Sequence, residues 1–314
     1  MIPLVTNNNN MIYTANQTKY VDRDITCCYI ILRKNLSERC CEFKENESIN
    51  KEMGFHACML KIILTLIFSL LCENAFGWTG NVYNHSMSVD GLQRFYKVYV
   101  PLSANDNADI VYILHGIGGT ASGAFNKFGF PDWSDNKNIV SIYPQGTDND
   151  QERGGTQGAW NAGSCCTVGY PDVNDVGFLE AVLTKVRADY NLLTGKAFIF
   201  GYSNGGMMSY RMACQSTAIS GAAIAAGSLM IPYDNCRPMV PIYHFHRLED
   251  PTVKFYGGYK TKGGYQIYYY PVPQIITFWA QYQSVSLYTQ HGGHDWSYWA
   301  AVPIYDMMWA FWNE

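Results

Sequence analysis

The chain has 314 residues, of which 48% are hydrophobic, 15% aromatic and only 15% charged. This apolar content suffices for one large domain or two small ones, and it excludes a disordered or coiled-coil chain. The net charge is −4 and no dense basic cluster occurs, so the sequence predicts that nucleic acid is not a partner.

Residues 1–52 form a polar N-terminal extension with four consecutive asparagines and the doublets Cys27-Cys28 and Cys40-Cys41. Adjacent cysteines without a CxxC spacing are a poor zinc pattern, so no metal site is predicted. A metal-binding or redox appendage is one interpretation. The absence of any periodic element favours the other, an upstream extension that is not part of the mature protein.

Residues 53–77 have the layout of a secretory signal peptide. Lys61 precedes an apolar run over residues 62–72, and small residues permit cleavage after Gly77. The run is shorter than the roughly twenty residues that a membrane-spanning helix needs, so no stable membrane insertion is expected. A buried core helix is the alternative interpretation. The sequence predicts a secreted or periplasmic protein whose residues 78–314 form the catalytic domain.

The mature region contains four cysteines, an even number that suits disulfide formation in a secreted protein. Three pairings are open. We expect Cys214 to pair with Cys236, which joins the end of a helix to a later loop. Cys165 and Cys166 then remain thiols or pair in a way that the sequence does not reveal.

Strand-like and helix-like segments alternate along the mature region. The predicted strands are residues 95–100, 109–114, 139–143, 197–200, 222–226, 240–245 and 285–289. The first predicted helix carries an apolar stripe from Phe178 to Tyr190, and Asn174 or Asp175 is its candidate cap. The other predicted helices span residues 203–214, 273–283 and 304–312. Most of the strands are nearly continuous apolar runs, as in a sheet that is covered on both faces. The alternation predicts an α/β fold with a doubly wound, mostly parallel sheet in a single domain.

The strongest motif is GYSNG at residues 201–205, where a buried strand ends and a helix begins. The five-residue pattern is weak by itself, but its position between a strand and a helix predicts a nucleophile elbow. The flanking glycines let the strand and the helix approach each other there. We predict Ser203 as the nucleophile and the backbone N–H of Asn204 as one oxyanion donor. An inert serine in an ordinary strand-to-helix turn is the alternative.

The acid and then the histidine should follow the serine in chain order. His294 is preferred as the general base because two glycines let its loop turn towards the serine, and His291 is the alternative. Asp250 and Glu249 both follow a predicted strand and are the candidate acids. Either carboxylate could instead pair with Arg247 at the surface.

A glycine-rich loop, LHGIGG at residues 114–119, follows the strand that ends at Leu114. The loop lets the backbone approach a substrate, and the N–H of Ile117 is the predicted second oxyanion donor. An ordinary flexible loop is the alternative. Phosphate binding is disfavoured because no Lys-Ser/Thr pair follows the glycines.

Seven blocks of the mature region resemble the secreted polyhydroxybutyrate depolymerase and feruloyl or acetylxylan esterase group. They are Leu114-His115-Gly116, Tyr143-Pro144-Gln145-Gly146, Trp160-Asn161 with Cys165-Cys166, Asp175-Val176-Gly177-Phe178, residues 201–208, Asp250-Pro251-Thr252-Val253 and Gly293-His294-Asp295-Trp296. The resemblance covers nearly all of residues 90–312. It implies an α/β-hydrolase fold that hydrolyses carboxylic esters without a cofactor.

The resemblance implies that Ser203, Asp250 and His294 form a catalytic triad, which favours Asp250 over Glu249. It also suggests Trp160 as a substrate-binding residue near the pocket.

The chain departs from the pattern of this group at two places. Arg247 stands where the group usually has a glycine, and the stretch before His294 is shorter and lacks a cysteine. We therefore expect the loop that carries His294 to be seated differently.

The predicted function is that of a secreted serine carboxylesterase whose substrate is a polyester or a plant cell-wall ester. A serine peptidase or thioesterase on the same fold is one alternative. An inactive hydrolase fold is another, in which some of the 24 Tyr and 8 Trp side chains bind a polymer.

Overall fold

A computed structural model describes residues 78–148, 158–166, 172–262, 265–295 and 303–313. The predicted extension over residues 1–52 and the predicted signal peptide over residues 53–77 lie outside the described residues.

Twelve strands are formed by the described part of the chain. In chain order they are β1 Asn81–Val89, β2 Leu92–Val100, β3 Asp109–Leu114, β4 Ile139–Pro144, β5 Thr147–Asp148, β6 Gly158–Ala159, β7 Ala197–Tyr202, β8 Gly221–Ala225, β9 Ile242–Arg247, β10 Gly258–Lys262, β11 Tyr265–Tyr269 and β12 Val285–Gln290.

Six α-helices lie between or after these strands in the same described ranges. They are α1 Ala121–Phe128, α2 Phe130–Lys137, α3 Asp175–Asp189, α4 Asn204–Gln215, α5 Val272–Trp279 and α6 Pro303–Asn313. Among the described residues, none of the helices has the length and apolar character that crossing a membrane requires.

Eight of the described strands form the central sheet, in the order β1-β2-β4-β3-β7-β8-β9-β12. Strands β1, β2 and β4 are joined by antiparallel pairing, and every neighbouring pair from β4 to β12 is parallel. The predicted mostly parallel sheet is therefore confirmed. Strands β5 and β6 form one small antiparallel pair, and β10 and β11 form another.

Both faces of the sheet are covered by helices. Along β3, the alternate residues Ile110 and Tyr112 pack into one core with side chains of α3, α4 and α5. Val111 and Ile113 point into a second core with side chains of α1, α2 and α6. A strand that is buried on both faces must be apolar at every position, which is why the predicted strands read as continuous hydrophobic runs.

A buried ion pair ties the antiparallel edge of the sheet to α3. Arg94 on β2 donates to the Asp175 carboxylate at 2.6 Å, and its guanidinium lies 3.9 Å from the ring centre of Phe178. The other Asp175 oxygen accepts the backbone N–H of Asn161 at 2.7 Å. Asn174 caps the helix, because its side chain accepts the N–H of Gly177.

Two disulfides occur in the described region. The expected pairing of Cys214 with Cys236 is confirmed. Cys165 and Cys166 are joined to each other, which corrects the expectation that they remain thiols or find other partners. Cys165 lies in a small apolar cluster that includes Met207.

Candidate active site

The predicted site residues converge because each of them follows a parallel strand. The carboxyl ends of parallel strands meet at one edge of a sheet, which is where α/β proteins place their sites. Ser203 follows β7, and the glycine-rich loop follows β3. Asp250 follows β9 and His294 follows β12, so all four segments reach the same edge.

Ser203 occupies a sharp turn between β7 and α4, with φ 56° and ψ −120°. The left-handed φ is strained for a residue with a side chain, and neighbouring contacts maintain it. The N–H of Ser203 donates to the carbonyl of Ala225 at 2.8 Å, and its carbonyl accepts from Met207 at 3.0 Å. A Cβ added to Gly201 would lie 2.1 Å from the carbonyl oxygen of Gly205, so the turn requires glycine there.

The structure brings Ser203, His294 and Asp250 together in a hydrogen-bonded chain. His294 Nε2 lies 2.9 Å from Ser203 Oγ, and His294 Nδ1 lies 2.6 Å from Asp250 Oδ2. A carboxylate can only accept, so Nδ1 carries the proton and Nε2 offers its lone pair to the serine hydroxyl. This is the arrangement that a serine nucleophile and its general base require.

Asp250 is buried and is held by backbone amides as well as by His294. Its Oδ1 accepts the N–H of Thr252 at 2.7 Å and that of Val253 at 2.9 Å. Burial alone would raise the pKa of Asp250, but the hydrogen bond and charge of His294, together with these two amides, hold it below its usual value. Asp250 is therefore a carboxylate at neutral pH.

The two alternative residues form a separate pair at the surface. His291 Nδ1 lies 2.6 Å from Glu249 Oε1, and both side chains are more than half exposed. The other oxygen of Glu249 accepts the N–H of Gly292 at 2.6 Å. The structure thus directs Glu249 to the beginning of the loop that carries His294, and away from the His294 imidazole.

Tyr202 and Arg247 lie against the His294 loop. The sequence linked Arg247 to the seating of this loop and gave no signal for Tyr202. The Tyr202 ring stacks on the His294 ring with centres 5.2 Å apart, and its hydroxyl donates to the His294 carbonyl at 3.2 Å. Arg247 is buried, and a Cβ on Gly292 would lie 2.6 Å from its Nη1 atom. Arg247, which replaces the glycine usual in the resembled group, therefore lies directly against Gly292 of the loop.

The glycine-rich loop passes beside the nucleophile. A Cβ on Gly116 would lie 3.3 Å from the Ser203 Cβ. Beyond Ile117 the backbone is fixed by two hydrogen bonds, from Gly118 to the carbonyl of Gly158 at 2.9 Å and from Gly119 to that of Gly116 at 3.0 Å. The other predicted donor, Asn204, is the first residue of α4, where backbone N–H groups have no acceptor within the helix.

Trp160 is fully buried, so its ring is not open to a substrate. Its indole N–H donates to the His115 carbonyl at 2.9 Å. The Asn204 side chain accepts a hydrogen bond from the backbone N–H of Trp160 at 2.7 Å and donates one to the Trp160 carbonyl at 3.0 Å. Trp160 therefore connects the glycine-rich loop to the start of α4, a supporting position that differs from the predicted substrate contact.

His115 is a second support of the glycine-rich loop. Its Nε2 accepts the N–H of Gly146 at 3.0 Å, which leaves Nδ1 as the donor to the Gly116 carbonyl at 2.8 Å. Burial lowers the pKa of His115 from 6.5 to about 4, against the opposing effect of its bond to Gly116. His115 is therefore neutral at physiological pH and holds the loop by hydrogen bonds alone.

A small apolar cluster lies beside the nucleophile on the first turn of α4. Met207 and Met230 pack there with the Cys165–Cys166 pair and with Val253, which follows Asp250. Ala162 and Tyr269 of β11 complete the buried part of this cluster. No sequence pattern indicates the cluster, because its members come from five separated segments.

Residues 98–268, more than half of the chain, match a known family. That family is described as phospholipase/carboxylesterase. The chain belongs to the phospholipase/carboxylesterase family. The predicted carboxylic ester hydrolase class is confirmed at the level of this family.

Three curated relatives illustrate the resemblance. A bifunctional acetylxylan esterase/xylanase of Neocallimastix patriciarum is 23% identical over 52% of this chain and 22% of its own length. A probable feruloyl esterase C of Aspergillus niger is 23% identical over 54% of this chain and 59% of its own length. A feruloyl esterase B of Piromyces equi is 31% identical over 32% and 19%. The chain thus spans less than two thirds of the length of each of these relatives, which agree with the feruloyl and acetylxylan esterase resemblance.

Two solved structures share the fold. An S-formylglutathione hydrolase from Agrobacterium tumefaciens gives a TM-score of 0.57 at 12% identity, covering 76% of this chain and 96% of that one. An acetyl xylan esterase from Aspergillus awamori gives 0.51 at 15% identity, covering 74% and 100%. The α/β-hydrolase fold predicted from the sequence is confirmed.

The buried neutral His115 predicts a stability that falls in acid. In the unfolded chain His115 takes up a proton below about pH 6.5, whereas in the folded protein it does so only near pH 4. Its contribution is complete above pH 6.5 and is lost as the pH falls towards 4, by about 3 kcal/mol. His115→Gln, which retains an acceptor for Gly146, should flatten the dependence of the unfolding free energy on pH over this interval.

Urea titrations at several pH values measure this effect. The matched control is His291→Gln, which removes an exposed imidazole and should not flatten the dependence. Equal slopes in the wild type and in His115→Gln would contradict the assignment.

Proposed function

We propose that the protein is a serine hydrolase that cleaves carboxylic esters of the feruloyl and acetylxylan type through an acyl-enzyme. The observation that carries the proposal is the chain of contacts at the elbow, with 2.9 Å between His294 Nε2 and Ser203 Oγ and 2.6 Å between His294 Nδ1 and Asp250 Oδ2. Membership of a carboxylesterase family supports it independently.

The first step is attack by Ser203 on the ester carbonyl. His294 Nε2 takes the hydroxyl proton as the Ser203 Oγ–carbon bond forms. Asp250 fixes the imidazole tautomer and stabilises the imidazolium, and it does not take the proton itself. His294 then passes the proton to the leaving alkoxide as the ester bond breaks.

The negative charge that develops on the carbonyl oxygen needs donors that are already oriented. The N–H groups of Ile117 and Asn204 fill this role in the proposed mechanism. The partial positive charge at the start of α4 adds to their effect, because Asn204 is the first residue of that helix.

Hydrolysis of the acyl-enzyme completes the cycle. His294 removes a proton from a water molecule as the water oxygen attacks the acyl carbonyl, and it returns that proton to Ser203 Oγ as the Oγ–carbon bond breaks and the carboxylic acid leaves. These steps use the protein's own groups and water, so the proposed mechanism needs no cofactor.

The substrate in this proposal is an ester carried by a plant cell-wall polysaccharide. The names of the curated relatives support this choice, since they are feruloyl and acetylxylan esterases. A polyester such as polyhydroxybutyrate is the second substrate to be tested.

Side-by-side rates on p-nitrophenyl acetate, a feruloyl ester, a polyhydroxybutyrate emulsion and a peptide amide test the proposal. The wild type should cleave the acetate and feruloyl esters and leave the amide intact. Ser203→Ala should lose about 10⁴-fold or more in kcat on the esters, because no other group forms the acyl-enzyme. A faster reaction on the amide would favour a peptidase, and no reaction in folded wild type would favour a binding protein.

The two neighbouring acids provide a matched comparison. Asp250→Asn should lower kcat by about 10⁴-fold, because an amide cannot hold the same tautomer of His294. Glu249→Gln removes a carboxylate one residue away and should change kcat by less than about threefold, since an exposed pair contributes little. Equal losses in the two variants would contradict the assignment of the acid.

We place the enzyme outside the cytoplasm. The signal-like segment over residues 53–77 supports this, and so does the Cys214–Cys236 disulfide, which persists in an oxidising compartment. N-terminal sequencing of the secreted protein should find Trp78 as the first residue. A mature chain that retains Asn7 would contradict cleavage after Gly77.

A further inference from the structure

A series of buried hydrogen bonds leads to the loop that follows the acid. The Tyr210 hydroxyl on α4 lies 2.7 Å from His244 Nδ1, and His244 Nε2 lies 2.9 Å from His246 Nδ1. His246 Nε2 lies 2.7 Å from the carbonyl of Val253. Tyr210 and both histidines are completely buried, and the catalytic steps described above use none of them.

The last acceptor determines which group donates in each of these hydrogen bonds. A backbone carbonyl only accepts, so the proton of His246 is on Nε2 and its Nδ1 must accept. The donor to that Nδ1 is then His244 Nε2–H, which leaves His244 Nδ1 as an acceptor for the Tyr210 hydroxyl. The direction Tyr210 to His244 to His246 to Val253 is therefore fixed throughout.

Both histidines are neutral in the folded protein. Burial lowers the pKa of His244, and the neighbouring His246 lowers it further. Burial also lowers the pKa of His246, although the Val253 carbonyl and the Asp250 charge oppose this. The series thus brings polar groups close to Asp250 without adding a second positive charge.

Val253 links this series to the acid. Its carbonyl accepts from His246, and its N–H donates to Asp250 Oδ1 at 2.9 Å. His246 Nε2 also lies 3.7 Å from Asp250 Oδ2, the oxygen that faces His294. A shift of His246 therefore disturbs both the peptide that holds the carboxylate and the surroundings of the oxygen that faces His294.

We infer that His246 is a positioning residue for Asp250, and that His244 and Tyr210 hold His246 in the tautomer this needs. The inference rests on the proposed function of Asp250 and His294. Two buried imidazoles are costly to desolvate, and apolar side chains would fill the same volume without that cost. Both histidines take part in hydrogen bonds that end at the loop after Asp250, whereas side chains that only fill the core make no such bonds.

Two substitutions at His246 separate positioning from packing. His246→Leu removes the donor to Val253 and should lower kcat by about tenfold to hundredfold, with little change in KM. The acidic limb of the kcat/KM–pH profile should move to lower pH by about one unit, because the His294 imidazolium loses part of its carboxylate partner. His246→Gln places an amide N–H near the position of Nε2 and should restore much of kcat.

The pH profile has to be read against every titratable group that faces the acid. Tyr202 and Tyr269 also face the acid, and its charge raises the pKa of both, after the larger effect of burial. Both tyrosines therefore remain neutral over the acidic limb and do not contribute to its position.

A pair of tyrosine variants provides the matched control. Tyr210→Phe removes the first donor of the series and should shift kcat and the acidic limb in the same direction as His246→Leu, by a smaller amount. Tyr112→Phe removes an equally buried hydroxyl, which donates to the Leu179 carbonyl at 2.7 Å in the same core. It should lower the Tm to a similar extent and leave kcat and the acidic limb unchanged.

A second readout does not depend on turnover. The downfield proton NMR resonance of His294 Nδ1–H reports the bond to Asp250, and it should broaden or disappear in His246→Leu and persist in Tyr112→Phe. If His246→Leu and Tyr210→Phe lower only the Tm, with unchanged resonance, kcat and acidic limb, the inference is overturned. Failure of the proposed function is distinguishable, because the wild type would then show no esterase activity while the resonance still tests His246.

Discussion

The close approach of α4 to the sheet at Ser203 is the constraint on which the whole catalytic edge depends. A Cβ on Gly205 would lie 2.5 Å from the Leu114 carbonyl oxygen, and one on Gly201 would meet Gly205 itself. The strand, the helix and the glycine-rich loop therefore approach so closely that no side chain fits between their backbones at these positions. This crowding forces the left-handed φ of Ser203 and brings the loop beside its side chain.

Hydrogen bonds between neutral groups support that edge of the sheet. His115 supports the glycine-rich loop, and His246 supports the loop that follows Asp250. Burial lowers the pKa of both imidazoles, so neither carries a charge at neutral pH. Neither imidazole therefore competes with His294 for the charge of Asp250.

The sequence predicted the parallel sheet and the candidate triad because both leave local signals, namely apolar runs and residues that directly follow them. It did not predict α1 and α2, which have eight residues each and become helical through the packing of side chains such as Phe125 and Trp133. The supporting position of Trp160 depends on tertiary contacts that no spacing reveals. The pair His244 and His246 did leave a signal, since alternate residues of a strand share a face.

Covalent labelling of the nucleophile tests whether Ser203 and His294 act together. Folded protein is treated with a fluorophosphonate at neutral pH and digested, and the modified residue is located by tandem mass spectrometry. The account predicts one adduct, on Ser203, and its loss in His294→Ala, because the hydroxyl reacts only when the imidazole removes its proton. Modification of a different serine, or an unmodified Ser203 in folded wild type, would contradict it.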